Sequence, residues 1–179
     1  LPVIPEIKSG QALAKILIDD SKKGWADSVK TLMDSLYDGQ NVYFDYSAIR
    51  LEGARLMTMG GRASGPQPLI KLHDFIRETM HNAQGRQLTT LECHDICNQI
   101  AEIVVVGGVR RSSQISLSDL QDKDMRHAKD WPYPIKRAMA NNSAVYREKP
   151  SAADFLKEWG SLALSGTGER GIFNLEAAQ

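Results

Sequence analysis

Stretches with helical periodicity alternate with short strand-like stretches along this chain, and this alternation constrains its fold more than any other feature. Apolar residues recur every three or four positions in five stretches: 13–17, 25–36, 69–80, 91–104 and 155–162. β-Branched, aromatic or alternating residues fill four shorter stretches: 42–46, 113–117, 144–146 and 171–174. This order predicts an α/β fold, either layered or closed into a barrel. Because three or four strands are few for such a sheet, we expect further chain to complete it.

Three helix starts carry capping signals. Ser64 and Gln67 have the spacing of a capping box, and so do Thr89 and Glu92. Ser151 precedes the last helical stretch and suits an N-cap. We therefore expect helices to begin just after these residues.

Charge and hydropathy exclude several classes of protein. Lys+Arg and Asp+Glu both number 22, so the formal net charge is zero, which excludes a protein that binds polyanions through bulk charge. The longest apolar run, 103–106, is far shorter than the roughly 18 residues of a membrane helix. Cys93 and Cys97 make no disulfide framework, so we expect a reducing, cytoplasmic location. Since the sequence opens on Leu1 rather than Met, we expect a piece of a longer chain.

Residues 60–66, Gly-Gly-Arg-Ala-Ser-Gly-Pro, precede the third helical stretch and form the first candidate site. Glycines let a backbone approach a ligand, and the amides at a helix N-terminus attract anions. Arg62 adds a guanidinium that suits phosphate or carboxylate. The segment has neither the Gly-Lys-Ser/Thr of a Walker A loop nor a βαβ frame. An ordinary capped loop is the simpler explanation of these residues alone, and both interpretations stay open.

Residues 107–112, Gly-Gly-Val-Arg-Arg-Ser, lie between the fourth helical stretch and a strand. Two glycines permit motion and two arginines follow in a short turn, so the loop suits closure over a nucleotide. A helix C-cap followed by two solvated arginines fits the same residues. The pattern leaves these two interpretations open.

Metal and nucleophile signals are weak. Cys93, His94 and Cys97 offer fewer than the four ligands of a structural zinc site, so we expect Cys97 to pack as a small apolar residue. His73 is isolated in the sequence, and we find no Ser-His-Asp or paired-carboxylate arrangement. We therefore assign no catalytic residue and no metal site.

Two further polar groups have alternative explanations. Asp27 suits a ribose hydroxyl, or simply a solvated position near a helix start. Residues 141–143, Asn-Asn-Ser, suit a ligand contact or a turn, and the turn is the simpler prediction.

Five segments taken together resemble one enzyme family. They are GGRASGPQPL at 60–69, LECHDICNQIAEIVVVGGVRRSS at 91–113, MRHAK at 125–129, ANNS at 140–143 and GERGIFN at 168–174. The same pattern includes DSKKGWADS at 20–28 and FDYSAIRLEGARL at 44–56. The ordered set is similar to the central catalytic-domain segment of adenosylcobalamin-dependent (class II) ribonucleotide reductase, above all its single-chain, triphosphate-type branch.

The resemblance implies a fold, a reaction and a cofactor. The family fold is a ten-stranded α/β barrel, of which residues 1–179 would form an incomplete part of the catalytic domain. The family replaces the 2′-hydroxyl of a ribonucleotide by hydrogen through a thiyl radical, which forms when the Co–C bond of adenosylcobalamin breaks. A cysteine pair supplies the electrons, with an external dithiol such as thioredoxin as reductant. Most cobalamin contacts are expected outside this chain, and neither nucleic acid nor membrane is implied as a partner.

The resemblance also implies two specificity loops. The first holds a deoxynucleotide effector and implies effector-binding roles for Asp27, Arg50, Gly60, Gly61, Arg62, Ala63, Ser64 and Gly65. The second relays the identity of the effector to the ribonucleotide substrate, and it comprises Gly107, Gly108, Val109, Arg110, Arg111 and Ser112.

The chain departs from the family pattern in its cysteines. The radical cysteine of the family lies in an Asn-Pro-Cys-Ser-Glu motif, expected beyond Gln179, and one redox cysteine is expected before Leu1. Cys93 and Cys97 match no catalytic thiol, so we expect the segment to be inactive alone. The alternatives are a stand-alone nucleotide-binding regulatory module, or a glycyl-radical or dimetal reductase that shares the barrel.

Overall fold

The computed structural model describes residues 1–8, 15–56, 61–105 and 113–178. The chain divides into two compact units, Leu1–Glu92 with Ile103–Arg111, and Cys93–Glu102 with Ser112–Gln179. Helices and small parallel sheets make up the described ranges, which confirms the α/β class. None of the helices in these ranges is long and apolar enough to cross a membrane.

The first unit combines two packed helices with a two-stranded parallel sheet. β1 (Ile16–Leu17) pairs with β2 (Phe44–Asp45), and α1 (Lys22–Tyr37) packs against α2 (Gln67–Asn82). Fully buried apolar side chains form the helical core: Leu32, Leu36, Leu69, Leu72, Ile76 and Met80. The stretches at 25–36 and 69–80 are therefore helices with a buried apolar face, as their periodicity predicts.

The helix expected at 13–17 is wrong at its described end. Ile16 and Leu17 lie in β1, and the Ile16 N–H donates to the Tyr43 carbonyl at 2.9 Å. Their side chains are 41% and 61% exposed, so no helical face buries them. Backbone pairing with a distant strand therefore outweighs local apolar spacing here. Residues 9–14 lie outside the described ranges.

The capping box predicted at Thr89 and Glu92 is confirmed at the start of α3 (Thr90–Val105). The Glu92 N–H donates to Thr89 Oγ1 at 3.1 Å, and the Thr89 N–H donates to Glu92 Oε2 at 2.9 Å. Arg86 also donates to both oxygens of Glu92, each at 2.7 Å. These bonds, above all those from Arg86, lower the pKa of Glu92 to about 2.

The capping box predicted at Ser64 and Gln67 is wrong. Pro66 is the N-cap of α2 and makes no side-chain hydrogen bond, while the Ser64 hydroxyl donates to the Gly65 carbonyl at 3.3 Å. The ring of Pro66 fixes φ near its helical value, so α2 starts without a hydroxyl cap.

The second unit is built on a three-stranded parallel sheet in the order β3–β4–β5. The strands are β3 (Gln114–Asp119), β4 (Ala140–Tyr146) and β5 (Gly171–Asn174). Between them lie α4 (Lys123–Arg126), a 3-10 turn (Ile135–Met139) and α5 (Ala152–Ser165), and a second 3-10 turn (Glu176–Ala178) follows β5. Ser151 caps α5 as predicted, because its hydroxyl accepts from the Asp154 amide at 3.1 Å.

One expectation for the second unit is wrong. Residues 141–143 lie inside β4 and not in a turn, because the ladder with β3 already begins at Ala140. The helix predicted at 155–162 is confirmed as α5, but its apolar residues are exposed: Phe155 is 39% exposed and Trp159 is 53% exposed. The buried side chain of α5 is instead Glu158, which arginines neutralise.

Candidate functional site

The first predicted loop is a short antiparallel arm, which we call the arginine arm (residues 53–56 and 61–63). The Gly53 N–H donates to the Ala63 carbonyl at 2.9 Å, and the Ala63 N–H donates to the Ala54 carbonyl at 2.8 Å. The Leu56 N–H donates to the Gly61 carbonyl at 3.1 Å. Residues 57–60, which include the predicted site residue Gly60, lie outside the described ranges. The arm thus gives residues 61–63 a fixed backbone.

Gly65 closes the base of the arm, and only glycine suits this position. Its φ is +70°, a left-handed conformation that side chains disfavour. A Cβ at Gly65 would lie 3.0 Å from the Glu52 backbone nitrogen. The close approach of residues 52 and 65 therefore depends on the missing side chain.

Arg55 and Arg62 pair with each other across the arm in an antiparallel bridge. Partners in such a bridge project from the same face, with their Cβ atoms about 5 Å apart. Both residues are exposed, and Arg62 donates to the Gly53 carbonyl at 2.9 Å. Among the described residues, neither arginine forms a salt bridge. Two exposed cationic side chains that project from the same face attract an anion, so the pair suits a phosphate or carboxylate ligand.

Sequence reasoning found Arg62 and missed Arg55. No residue pattern singles out Arg55, because its pairing with Arg62 becomes apparent only in the structure. The glycines at 60 and 61 drew attention to a loop before a helix instead.

Arg50 lies at the start of the arm and contacts the approach to α1. Its Nε donates to Asp20 Oδ2 at 2.6 Å, and Asp20 directly precedes Ser21, the N-cap of α1. Asp27 is exposed on α1 and accepts a hydrogen bond from Lys23 at 2.5 Å. None of the described contacts brings Asp27 to the arginine arm.

The N-terminus of α2 follows the arm but offers few amide donors. Pro66 and Pro68 both lack a backbone N–H, which leaves Gln67 and Leu69 as the donors nearest the helix start. Anion binding by free helix amides, expected for residues 60–66, is therefore limited. An anion at this place depends mainly on arginine side chains.

A buried hydrogen-bonded chain joins α1, α2 and β2, and it includes His73. The Ser28 hydroxyl donates to the Trp25 carbonyl at 2.7 Å, so its oxygen accepts from His73 Nε2 at 3.1 Å. His73 Nδ1 then accepts from the Tyr46 hydroxyl at 2.8 Å. Because the Ser28 and Tyr46 hydroxyls each donate their one proton as described, His73 must donate from Nε2 and accept at Nδ1. His73 is therefore a neutral imidazole with its proton on Nε2.

The electrostatics of this hydrogen-bonded chain are those of a structural network. Burial, assisted by the charge of Arg77, lowers the pKa of His73 to about 4, and burial raises the pKa of Tyr46. The sequence-based description of His73 as isolated is therefore wrong. The hydrogen-bonded chain of Ser28, His73 and Tyr46 contains no carboxylate that would orient His73 as a general base. We therefore interpret this network as structural: it links the elements that flank the arginine arm.

The remaining site predictions have mixed outcomes. Residues 107–112 of the second predicted loop lie outside the described ranges. Cys97 is exposed and Cys93 is half-buried, so the expectation that Cys97 packs as an apolar residue is wrong. Asn141 is exposed on β4, whereas Asn142 is buried. In the described part of the chain, no group of three or more His, Cys, Asp or Glu side chains is placed to hold a metal ion.

Comparisons with known proteins give a consistent result. The family model of the B12-dependent ribonucleotide reductase insertion domain matches residues 7–80, which include α1 and the arginine arm. An adenosylcobalamin-dependent ribonucleoside-triphosphate reductase of Euglena gracilis is 33% identical over 147 residues, or 80% of this chain and 20% of the relative. A reductase of the same name from Levilactobacillus brevis is 34% identical over 167 residues, or 88% of this chain and 22% of the relative.

A solved structure is also similar to this chain. The crystal structure of a B12-dependent (class II) ribonucleotide reductase matches with a TM-score of 0.66 and 27% sequence identity. The match covers 78% of this chain and 21% of that chain. This chain therefore spans about a fifth of the length of the relatives that it matches.

Proposed function

Because this chain belongs to the adenosylcobalamin-dependent (class II) ribonucleotide reductases, we propose that it is the effector-sensing segment of a ribonucleoside-triphosphate reductase. The complete enzyme would convert ribonucleotides to 2′-deoxyribonucleotides by thiyl-radical chemistry. Relatives with this name are about four times as long as the segment, so the proposal gives it nucleotide recognition and not the radical step. A stand-alone regulatory module is not favoured, because the relatives are complete reductases.

The facing pair Arg55 and Arg62 is the observation that carries this proposal. A deoxynucleoside triphosphate presents several negatively charged oxygens on one side of the molecule. Two exposed arginines whose Cβ atoms are about 5 Å apart can both reach such a group of oxygens. The zero net charge of the chain means that this attraction is local to the arm.

We assign the effector to the first predicted loop with roles that follow its geometry. Arg62 and Arg55 would hold the phosphates, while the backbone of residues 60–65 would lie against the nucleotide. Asp20 binds Arg50 through Nε, so the terminal nitrogens of Arg50 would contact the effector. Asp27 would accept a ribose hydroxyl after release from Lys23. Residues 107–112 would relay the identity of the effector to the ribonucleotide substrate.

The three-stranded sheet supports a place in a larger barrel. Parallel sheets are covered on both faces in complete domains. Ile115 and Leu117 point to one face of β3 and are 68% and 46% exposed. We propose that further strands of the reductase cover this face and close a ten-stranded barrel. Residues 1–179 would then belong to the catalytic domain, with residues 7–80 as an insertion within it.

Adenosylcobalamin would be the cofactor of the complete enzyme, where it supplies the initiating radical. Among the described residues, the polar groups form no recognisable corrin site. We therefore assign the cobalamin contacts to other parts of the reductase. An external dithiol such as thioredoxin would re-reduce cysteines that this segment does not contribute.

Direct binding of deoxynucleoside triphosphates tests the proposal. In the complete reductase, Arg62→Ala and Arg55→Ala should each weaken effector binding about tenfold, which corresponds to the loss of one charge-assisted hydrogen bond. Lys71→Ala is the matched control, because it removes an exposed positive charge that belongs to α2 and not to the arm. Equal affinities for the parent and both arginine variants would contradict the assignment of the arm to the effector.

A further inference from the structure

A second polar group lies in the other unit, between α3 and the sheet. His94 and Asn98 lie one turn apart on α3 and face β3. His94 Nδ1 is 3.1 Å from the Ser116 hydroxyl, and Gln114 Nε2 donates to Asn98 Oδ1 at 2.6 Å. Ser116 is the ladder partner of Asn142 on β4, so Asn142 projects from the same face. We call His94, Asn98 and Asn142 with their two β3 partners the α3–sheet polar cluster.

Several polar atoms of this cluster are buried without a partner among the described residues. They are His94 Nε2, Asn98 Nδ2, and both Nδ2 and Oδ1 of Asn142. Asn98 is 0% exposed, Asn142 is 2% exposed and His94 is 6% exposed. Native proteins almost always pair such groups with protein atoms or with ordered water. An amide with neither of its polar atoms paired, as at Asn142, therefore needs a partner that the described residues do not supply.

The charges around the cluster restrict what that molecule can be. Glu169 is already engaged, because it accepts from Lys129 at 2.8 Å and from the Asn142 backbone N–H at 2.6 Å. Asp95 accepts from Arg137 at 2.7 and 2.8 Å. With these carboxylates and cations paired to each other, the unpaired atoms are neutral donors and acceptors. A small neutral molecule that both donates and accepts fits them, whereas a cation or an anion does not.

We infer that the α3–sheet polar cluster encloses ordered water that bridges His94 Nε2 to the side-chain amide of Asn142. Whichever ring nitrogen of His94 carries the proton, water complements Nε2, since water both donates and accepts. The Nδ2 group of Asn98 lies one helical turn away on the same face and supplies a further donor. Buried waters of this kind make two to four hydrogen bonds to otherwise unpaired groups. This inference does not depend on the proposed function of the arginine arm.

A crystal structure of the complete protein at a resolution that shows ordered water tests the inference. We expect a water within about 2.7–3.2 Å of both His94 Nε2 and one amide atom of Asn142. Direct protein partners for these atoms, or a site without water, would overturn the inference.

Water–protein cross-relaxation measured by NMR provides a second test that needs no crystal. The side-chain amide of Asn142 should show a cross-peak to a long-lived water, whereas exposed Asn141 on the same strand should not. Asn142→Ala should weaken the long-lived water signal at His94, since the water loses one of its hydrogen-bond partners, whereas the matched control Asn141→Ala should keep it. An unchanged signal in a folded Asn142→Ala variant, or its absence from the parent, would contradict the inference.

Discussion

Arg170 and Glu158 form a doubly hydrogen-bonded ion pair inside the second unit. Arg170 Nε lies 2.6 Å from Glu158 Oε1, and Nη2 lies 3.1 Å from Oε2, with both side chains 1% exposed. Arg126 adds a second guanidinium at 3.0 Å. Burial alone would raise the pKa of Glu158, but the bonds and charges of the two arginines outweigh it and lower this pKa. One carboxylate thus pairs with two arginines in the second unit.

Removal of this carboxylate should strongly destabilise the fold. Glu158→Ala leaves two guanidinium groups buried without their anion, for which we expect a loss of about 3–5 kcal/mol in the free energy of unfolding. Urea denaturation measures this loss. Glu148→Ala removes an exposed carboxylate from the same unit and should change stability by less than about 0.5 kcal/mol. Similar stabilities for the two variants would show that the ion pair does not stabilise the second unit.

Local signals in the sequence predicted the start of two helices, α3 and α5, but not the cap of α2. The capping box at Thr89 and Glu92 needs only residues within one turn, so its sequence pattern suffices. The prediction of a helix at 13–17 failed at β1, because the strand partner of Ile16 is Phe44, which lies 28 positions further along the chain. Apolar spacing cannot report a backbone ladder with a distant strand. The same limit explains why residues 141–143 were expected in a turn.

The candidate site was predictable only in part for a similar reason. Arg62 was found from its glycine-rich neighbours, whereas Arg55 becomes significant only once the two sides of the arm pair. His73 was described as isolated because Ser28 and Tyr46 lie 45 and 27 residues away in sequence. Partners of a buried polar side chain follow from tertiary packing, which single-residue patterns do not encode.

The buried neutral state of His73 predicts that stability falls in mild acid. The unfolded chain takes up a proton near pH 6.5, whereas the folded chain resists it until the pKa of about 4. The unfolded state therefore binds more protons between these values, and stability that is complete above pH 6.5 is lost as pH falls toward 4. Between pH 7 and pH 5, we expect His73 to account for a loss of about 2 kcal/mol.

Urea denaturation at several pH values measures this dependence and separates His73 from other histidines. His73→Asn should show a shallower pH dependence than the parent. His127→Asn should keep the full dependence, because His127 is largely exposed. Burial also lowers the pKa of His94, so some dependence should persist in the His73 variant. Identical slopes for the parent and His73→Asn would contradict a neutral, buried His73.

Gly65 and Gly53 provide a matched pair for the geometry of the arginine arm. Both have positive φ, +70° and +83°, so alanine at either position should cost about 1 kcal/mol in backbone strain. Only at Gly65 would the new Cβ also meet a backbone atom, Glu52 N at 3.0 Å, whereas nothing lies within 4 Å at Gly53. Gly65→Ala should therefore be the more destabilising in urea denaturation. Equal effects would show that the close approach is unimportant.

The two cysteines should be dispensable for turnover. Cys93 and Cys97 lie on α3, and the family resemblance matches neither to a radical or redox thiol. Cys93→Ser and Cys97→Ser in the complete reductase should each keep turnover close to that of the parent, measured as deoxynucleotide formed with an external dithiol. Abolished turnover in a normally folded variant would place a redox thiol in this segment.

Effector-dependent substrate choice in the complete reductase tests the central claim most directly. Arg110 belongs to the second predicted loop, so Arg110→Ala should reduce the ability of deoxynucleotide effectors to select among ribonucleotide substrates. Basal cleavage of the cobalamin Co–C bond, measured in the same preparation, should remain near the parent rate. The account predicts loss of selectivity with cleavage retained, and equal loss of both would contradict it.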